Sequence, residues 1–463
     1  MVTTEENDVA ALPLVPANPL PLRQRLDEVR KTHTCQVTFR EAGGQVTRVT
    51  LGPKWFAPPI VWVMSPAGAR DVLSRKDGAC DRTAVHHEMR MLMGDNLADL
   101  PNAPWLSRKR TLQPLFTKQY VRRFGDHMAQ AAAMVADGWL AAAGSAGSGD
   151  GVDVDLDADS RRLTMRALGR SVLGVDLDER SYALAEPLNI ALSHIADRGM
   201  RPINPPRWLP LPSRRRAIAA YTSMHRLAED ILAACRADPD IDAPLVHALI
   251  DATDPETGRT LSDDDICNDL IAFIVAGHDT TATTIAYALW ALGHHRDIAD
   301  RVAAEAAALG DRTLTADDAS RLTYTTQVVH EALRLCPPVS VAGRTAMRDI
   351  EVAGCRVEAG SMVLVGIYGM QRDPALWEDP LRFDPDRFSA QNFGRLDRWQ
   401  YIPFGGGTRT CIGDHFAMLE LVLAVATVLR DVEITSGDDD FPLAVPFTTV
   451  ADGPIPARVR ARR

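Results

Sequence analysis

Chemistry is concentrated in one short stretch of this chain, Phe404-Gly405-Gly406-Gly407-Thr408-Arg409-Thr410-Cys411-Ile412-Gly413. It runs straight into a segment of helical period in which Phe416, Leu419, Leu421, Val422, Leu423, Val425, Val428 and Leu429 leave almost no polar face, so that helix must be buried. Cys411 therefore stands at a helix N-terminus, where free N–H groups and the positive end of the dipole favour a thiolate. Gly407 and Gly413 would let a flat cofactor touch the backbone. The seven cysteines (Cys35, Cys80, Cys235, Cys267, Cys336, Cys355, Cys411) are scattered without a C-x-x-C pair, which disfavours disulfides, zinc sites and iron–sulfur clusters. A lone soft thiolate in such a loop fits one axial bond to a haem iron better than zinc or a cluster. The glycine run lacks Gly-Lys-Ser/Thr and G-x-G-x-x-G spacing, so a phosphate cradle is disfavoured; a plain structural cysteine is the bland alternative.

A second constellation sits on a long helix predicted over 262–294. Ser262 can cap it, Asp263, Asp264 and Asp265 occupy the first turn where the macrodipole favours anions, and Gly293 is expected to close it. Ala272, Ala276, Asp279, Thr280 and Thr283 recur at spacings of three and four, a stripe that would let something bulky approach. Gly277 suggests a local opening at 276–280. The competing reading is that small residues permit tight helix crossing and the threonines bond carbonyls one turn back. His278 is read as pointing away from the stripe. Asp279 and the threonines would be costly in lipid, so the helix is read as buried and not as a membrane span.

The remaining elements must hold these two pieces together. Of 463 residues, 46% are apolar and 24% charged, and 51 basic against 61 acidic residues give a net charge of −10. That is globular composition, with a size allowing a large core; the acidic balance argues against nucleic-acid binding. The N-terminal residues are acidic and Pro-rich, unlike a signal peptide, and the expected location is the cytoplasm. Short strands are predicted around Val46–Leu51 and Ile60–Met64, with Ser65-Pro66 opening a helix, and a second strand-rich patch over Ile350–Ile367. Helical period covers 105–142, 156–195, 213–236, 262–294, 296–308, 321–335 and 412–430, with Ala141–Gly151 as a flexible connector. The fold class is mainly α with a smaller β-sheet region: a Pro-rich leader over 1–22, then one large domain over 23–463.

The pattern F-x-x-G-x-R-x-C-x-G is met at Phe404, Gly407, Arg409, Cys411 and Gly413, with on the order of 10⁻⁴ chance matches expected in such a chain. With Ala276-Gly277-His278-Asp279-Thr280-Thr281, Glu331-Ala332-Leu333-Arg334 and Asp384-Pro385-Asp386-Arg387-Phe388 in order, the chain resembles the cytochrome P450 superfamily from residue 45 to residue 460. The resemblance implies haem b (iron protoporphyrin IX) ligated by Cys411, contacts to it from Ala276, Gly277, Phe404, Gly407, Gly413 and Ala417, and proton delivery to dioxygen by Asp279 and Thr280. It implies a buried Glu331-Arg334-Arg387 network behind the cysteine loop. For the haem propionates it implies Arg344, Arg409 and the helix at Trp105. There the chain departs from pattern, since W-x-x-x-R reads Trp105-Leu106-Ser107-Arg108-Lys109 and leaves Lys109, or Arg108, in that role.

With no flavin or nicotinamide fingerprint in the chain, electrons are expected from a separate ferredoxin and ferredoxin reductase drawing on NAD(P)H. The basic run Arg108, Lys109, Arg110, Lys118, Arg122 and Arg123 is the candidate dock, with a solvated basic face as the alternative. The expected assembly is a monomer. Substrate-facing segments, by resemblance, are Val85–Leu100, Leu192–Leu211, Pro338–Ala342 and Phe447–Thr449; Met89, Met91, Leu92 and Met93 suggest an adaptable pocket for a lipophilic small molecule. Two rivals are a haem-thiolate isomerase or dehydratase that needs no reductant, and a non-catalytic haem sensor. His86-His87 and His294-His295 are read as incidental, not as a metal site.

Overall fold

Caps and prolines decide where the helices stop. The computed structural model describes residues 9–31, 33–55, 57–145, 151–174, 181–200 and 204–462. The site is positioned by helices numbered here along the chain: α1 (Ala84–Met93), α2 (Asn102–Leu112), α3 (Gly125–Ser145), α4 (Leu156–Leu168), α5 (Ser181–Met200), α6 (Pro212–Ala237), α7 (Asp263–His294), α8 (Arg296–Ala307), α9 (Thr323–Leu335) and α10 (Asp414–Asp431). The period over 105–142 is broken. Pro114 cannot donate a backbone hydrogen bond, and extended Thr117 restarts the helix by accepting from the Tyr120 N–H, so short turns separate α2 from α3. The period over 156–195 also divides: Asp155 caps α4, a π-turn follows at Gly169–Leu173, and residues 175–180 before α5 lie outside the described residues. Of the expected connector, residues 146–150 lie outside as well, and α3 runs on to Ser145.

Ser262 caps α7 as expected, and Asp265 does more than complement the dipole: the two side chains accept each other's backbone N–H in a capping box. Gly293 does not close that helix, which continues to His294. The Ser436 backbone and hydroxyl occupy the space a Cβ at 293 would need, so close crossing explains this glycine. Nor does α7 open at 276–280; it is helical throughout. It crosses the molecule with 22 of its 32 residues buried, packed against α4, α6, α9 and α10.

Five strands form a sheet in the spatial order Val46–Val49, Ile60–Val63, Met362–Gly366, Val341–Ala346, Cys80–Asp81, with only Ile60–Val63 and Met362–Gly366 parallel. Ser65 caps the helix beyond Ile60–Val63, accepting from the Gly68 N–H at 3.2 Å. Part of the Pro-rich leader packs on this sheet: Val15 is buried, and Asn18 donates to the Phe39 carbonyl at 3.0 Å and to Thr47 Oγ1 at 3.2 Å. The chain is a single, mostly helical domain. No helix among the described residues is long and apolar enough to cross a membrane.

Behind the cysteine loop lies a buried ion pair. Arg334 donates through Nε and Nη2 to both oxygens of Glu331 at 2.7 Å, and neither side chain is exposed. Arg334 also donates to the carbonyls of Gln371, Pro380 and Arg382, while Glu331 accepts from the Asp384 N–H at 2.8 Å and lies 3.5 Å from Arg387 Nε. Gln371 completes the link. Its amide donates to the Leu333 and Arg334 carbonyls, and its oxygen receives the Ile402 N–H at the root of the cysteine loop. Removing one partner leaves a buried charge uncompensated, at about 3–5 kcal/mol. Glu331→Ala is therefore expected to lower the thermal unfolding midpoint sharply or abolish soluble protein; a midpoint unchanged from wild type would contradict the network's role.

Candidate active site

A cavity of about 520 Å³ lies between α7 and the cysteine loop. From α7 it is lined by Phe273, Ala276, Gly277, Thr280, Thr281 and Thr284, which share one face at about 100° per residue. This corrects the expected stripe, since Ala272, Asp279 and Thr283 lie off that face. The Thr280 hydroxyl donates to the Ala276 carbonyl at 2.5 Å and Thr284 to the Thr280 carbonyl at 2.8 Å, so the carbonyl-bonding alternative describes these two at rest, whereas Thr283 Oγ1 is buried without a partner. Asp279 is buried and turned towards α4, its Oδ1 receiving Arg161 Nη1 at 2.6 Å. His278 also points away from the cavity, with Nδ1 2.9 Å from the Thr164 hydroxyl.

Across the cavity stand Phe404, Gly405, Gly406, Arg409, Cys411, Ile412, Gly413 and Ala417. The loop is tied by the Cys411 N–H to the Phe404 carbonyl (2.9 Å) and by the Thr410 hydroxyl to the Gly407 carbonyl (2.8 Å). Gly407 does not line the cavity. Its φ is 72° and a Cβ there would strike the Leu73 carbonyl, so glycine is needed for the turn and for packing. Desolvation by the surrounding protein pushes the Cys411 thiol, which is itself open to the cavity, up to about 11, although the Gly413 N–H directed at the sulfur favours the thiolate. A metal ion would be needed to displace that proton near neutral pH.

One end of the cavity is built for anions. Arg82, His86, Arg344 and Arg409 all line it. Burial and mutual repulsion lower Arg82 to about 9 and Arg409 to about 10. Arg409 donates to the Leu100 carbonyl and Asn102 Oδ1, and lies 4.2 Å over the Trp105 ring. Arg344 donates to the Gly343 carbonyl, and Arg82 Nε is buried without a partner. Close acids are Asp81, 3.8 Å from Arg409, and Asp99, bonded to His86 at 2.7 Å. Three clustered guanidiniums facing a hollow suit a ligand with two carboxylates, and with a single thiol lining the same cavity the donor set fits an iron protoporphyrin.

Lys109 is placed elsewhere. It donates to the Thr408 carbonyl at 2.7 Å and lines a separate hollow on the far side of the cysteine loop, with Lys118, Thr410, Asp414 and His415. Trp105 lies 5.1 Å beneath its ammonium and outside the main cavity. Arg108 is committed to Asp265 and Asp269. Arg110 pairs with Asp254 and Glu256, and Arg122 with Asp317, so the basic run is not one free face. Arg82 and His86 were missed by the sequence reading because no local spacing marks them; only the fold brings them beside Arg344 and Arg409.

The expected substrate segments reach the wall through Val85, Ala196, Pro338, Val339, Val341, Ala342 and Phe447 with Thr448, while residues 201–203 lie outside the described residues. Met89 and Met93 are core residues and Met91 is exposed, so the methionine cluster is packing and not pocket. Val29, Ile60, Trp62, Met362 and Leu364 extend the cavity towards the sheet. No group of three metal-ligating side chains occurs among the described residues.

The profile of one protein family, described as Cytochrome P450, matches residues 14–455. The chain is 31% identical to cyclooctat-9-en-7-ol 5-monooxygenase of Streptomyces melanosporofaciens and 30% identical to cyclooctatin synthase of the same organism, covering 84% of this chain and 82% of each relative. The crystal structure of the cytochrome P450DA heme domain superposes with a TM-score of 0.84 at 25% identity, over 98% of both chains.

Burial lowers His278 and His330 from 6.5 to about 4, so both stay neutral in the native state where an unfolded chain would bind protons. Their contribution is complete above pH 6.5 and falls as the pH drops towards 4. The stability difference between wild type and His278→Gln, measured by denaturant unfolding, is expected to shrink from pH 7.5 to pH 4.5; a pH-independent difference would contradict the assignment.

Proposed function

The chain belongs to the cytochrome P450 family and is a cytochrome P450 monooxygenase, and from that premise we propose that it inserts one oxygen atom of O2 into a lipophilic small molecule. The observation that carries this reading is the facing pair of walls, one bearing Cys411 and the other Thr280, across a largely apolar cavity with a cationic end. We assign the cofactor as haem b. Held through Cys411, it would supply oxygen activation, for which a thiolate ligand is suited.

The chain's residues do the rest. Arg82, Arg344 and Arg409 hold the propionates, with Trp105 supporting Arg409 from behind. Phe404, Ala276, Gly277, Gly413 and Ala417 form the flat walls. Thr280 Oγ1 has only to leave the Ala276 carbonyl to donate into the cavity, and Asp279 is the acid that resupplies it. Apolar side chains from Val85, Val339 and Phe447 exclude water and select for lipophilic substrates. One relative's name specifies a cyclic alcohol as substrate, and a terpenoid, fatty acid or polyketide suits these walls.

Electrons come from NAD(P)H through a separate ferredoxin and ferredoxin reductase. With Arg108, Arg110 and Arg122 paired, the dock moves to Lys109 and Lys118 around the hollow behind Cys411, where an acidic ferredoxin would approach a surface that Cys411 itself lines. The enzyme acts as a cytoplasmic monomer, its haem-thiolate domain over 23–463 preceded by the Pro-rich 1–22.

Two outcomes are expected. Turnover under ¹⁸O2 with NADPH, a ferredoxin and its reductase, on a substrate found by spin-state shift, should give product carrying one labelled oxygen; product without label, or formed without reductant, would overturn the reading. Lys118→Glu should slow reduction by ferredoxin several-fold at low salt and little at high salt; equal rates at low salt would remove the dock.

A further inference from the structure

Asp279 faces α4, and what it meets there is a second carboxylate. Arg161 donates through Nη1 to Asp279 Oδ1 at 2.6 Å and through Nε to Asp157 Oδ2 at 2.7 Å. Side-chain exposure is 6% at Asp279, 25% at Arg161 and 13% at Asp157, so the two partners beyond Asp279 are the ones that reach solvent. Two carboxylates on one guanidinium carry a net charge of −1, which leaves room for one proton. Asp157 Oδ1 is buried without a partner. One turn along, Thr164 and His278 already bond α4 to α7, so Arg161 is not the sole polar fastening between these helices.

We propose that Asp157 and Arg161 form a solvent-side entrance for the protons that Asp279 delivers, Arg161 being the positioning residue that holds the Asp279 carboxylate between solvent and the cavity. In each delivery a hydronium ion gives up one O–H bond as an O–H bond forms on Asp157, and that bond breaks in turn as one forms on Asp279, while Arg161, which has no acceptor, stays charged and carries no proton itself. The O–H bond on Asp279 breaks as the proton passes towards Thr280, the carboxylate is restored, and no electrons move. Burial and the neighbouring Asp155 and Asp279 raise Asp157 despite Arg161, which suits a group that takes up protons. Arg161 stays charged between its two acids, and His278 beside them is neutral at physiological pH, pushed down to about 4 by burial. Substrate filling the cavity would then leave the proton supply open.

The inference rests on reading Asp279 as the delivering acid, and the test separates the two. Haem-loaded wild type, Asp157→Asn, Arg161→Lys, Arg161→Gln and Asp279→Asn are each admitted only with the red-shifted carbon monoxide band intact. Each is driven by NADPH with a plant-type ferredoxin and its reductase, without substrate. The rate of hydrogen peroxide release, O2 + 2 e⁻ + 2 H⁺ → H2O2, is measured in H2O and D2O. Infrared difference titration of the resting protein follows the carboxyl stretch independently of turnover.

Asp157→Asn is expected to slow release about tenfold, to change the solvent isotope effect, and to remove a carboxyl band titrating above the ordinary aspartate range. Arg161→Lys should retain most of the rate and Arg161→Gln should lose it. If Asp279→Asn is slow while Asp157→Asn and Arg161→Gln match wild type in rate, isotope effect and infrared titration, the entrance is overturned and the Asp279 reading stands. If Asp279→Asn itself matches wild type, both fall.

Discussion

A sulfur atom has to be held still opposite a helix, and that constraint organises the polar interior of this protein. Cys411 sits at the tip of a loop whose root, Ile402, is bonded to Gln371, which is bonded in turn to the backbone around Arg334. The guanidinium is held by Glu331 and three carbonyls with no solvent contact. A fully buried ion pair is a poor source of net stability but tolerates few alternative geometries. It fixes where the loop begins, and Gly407 pressed on the Leu73 carbonyl fixes how the loop turns.

The opposite wall is set by different physics. The rotation of α7 is held by the polar bonds of Asp269, His278 and Asp279 to neighbouring elements and by the small side chains that leave space: Ala276 and Gly277 face the cavity, and a Cβ at Gly277 would crowd Leu168 of α4. The two polar residues that follow are divided by this rotation. Thr280 faces the cavity and Asp279 faces Arg161, so the acid and the alcohol lie on different sides of the same turn. The protein is acidic overall, yet it gathers three arginines at one end of the cavity, where Asp81 and Asp99 offset only part of their mutual repulsion and a bound anion would offset more.

The cysteine loop, the ends of most helices, the pairing of Glu331 with Arg334 and the presence of a cavity beside Thr280 were legible, because each rests on local spacing or capping. What was not legible depends on distant chain segments. Lys109 follows the tryptophan at the motif's spacing, but its reach ends at the Thr408 carbonyl, and Arg82 takes the place beside Arg344 and Arg409. The run over 105–142 keeps helical period through Pro114, since periodicity records burial and not backbone continuity. Spacings of three and four likewise put Asp279 and Thr283 on the α7 stripe, although a difference of one position turns a side chain by about 100°.

The most direct test of the central claim is the absorption spectrum of the purified protein, reduced with dithionite and exposed to carbon monoxide, for wild type and Cys411→Ala. The account predicts a strongly red-shifted Soret band, the signature of a haem held by thiolate, present in wild type and lost in the variant. Wild-type protein without haem, or haem whose band ignores the loss of Cys411, would contradict it.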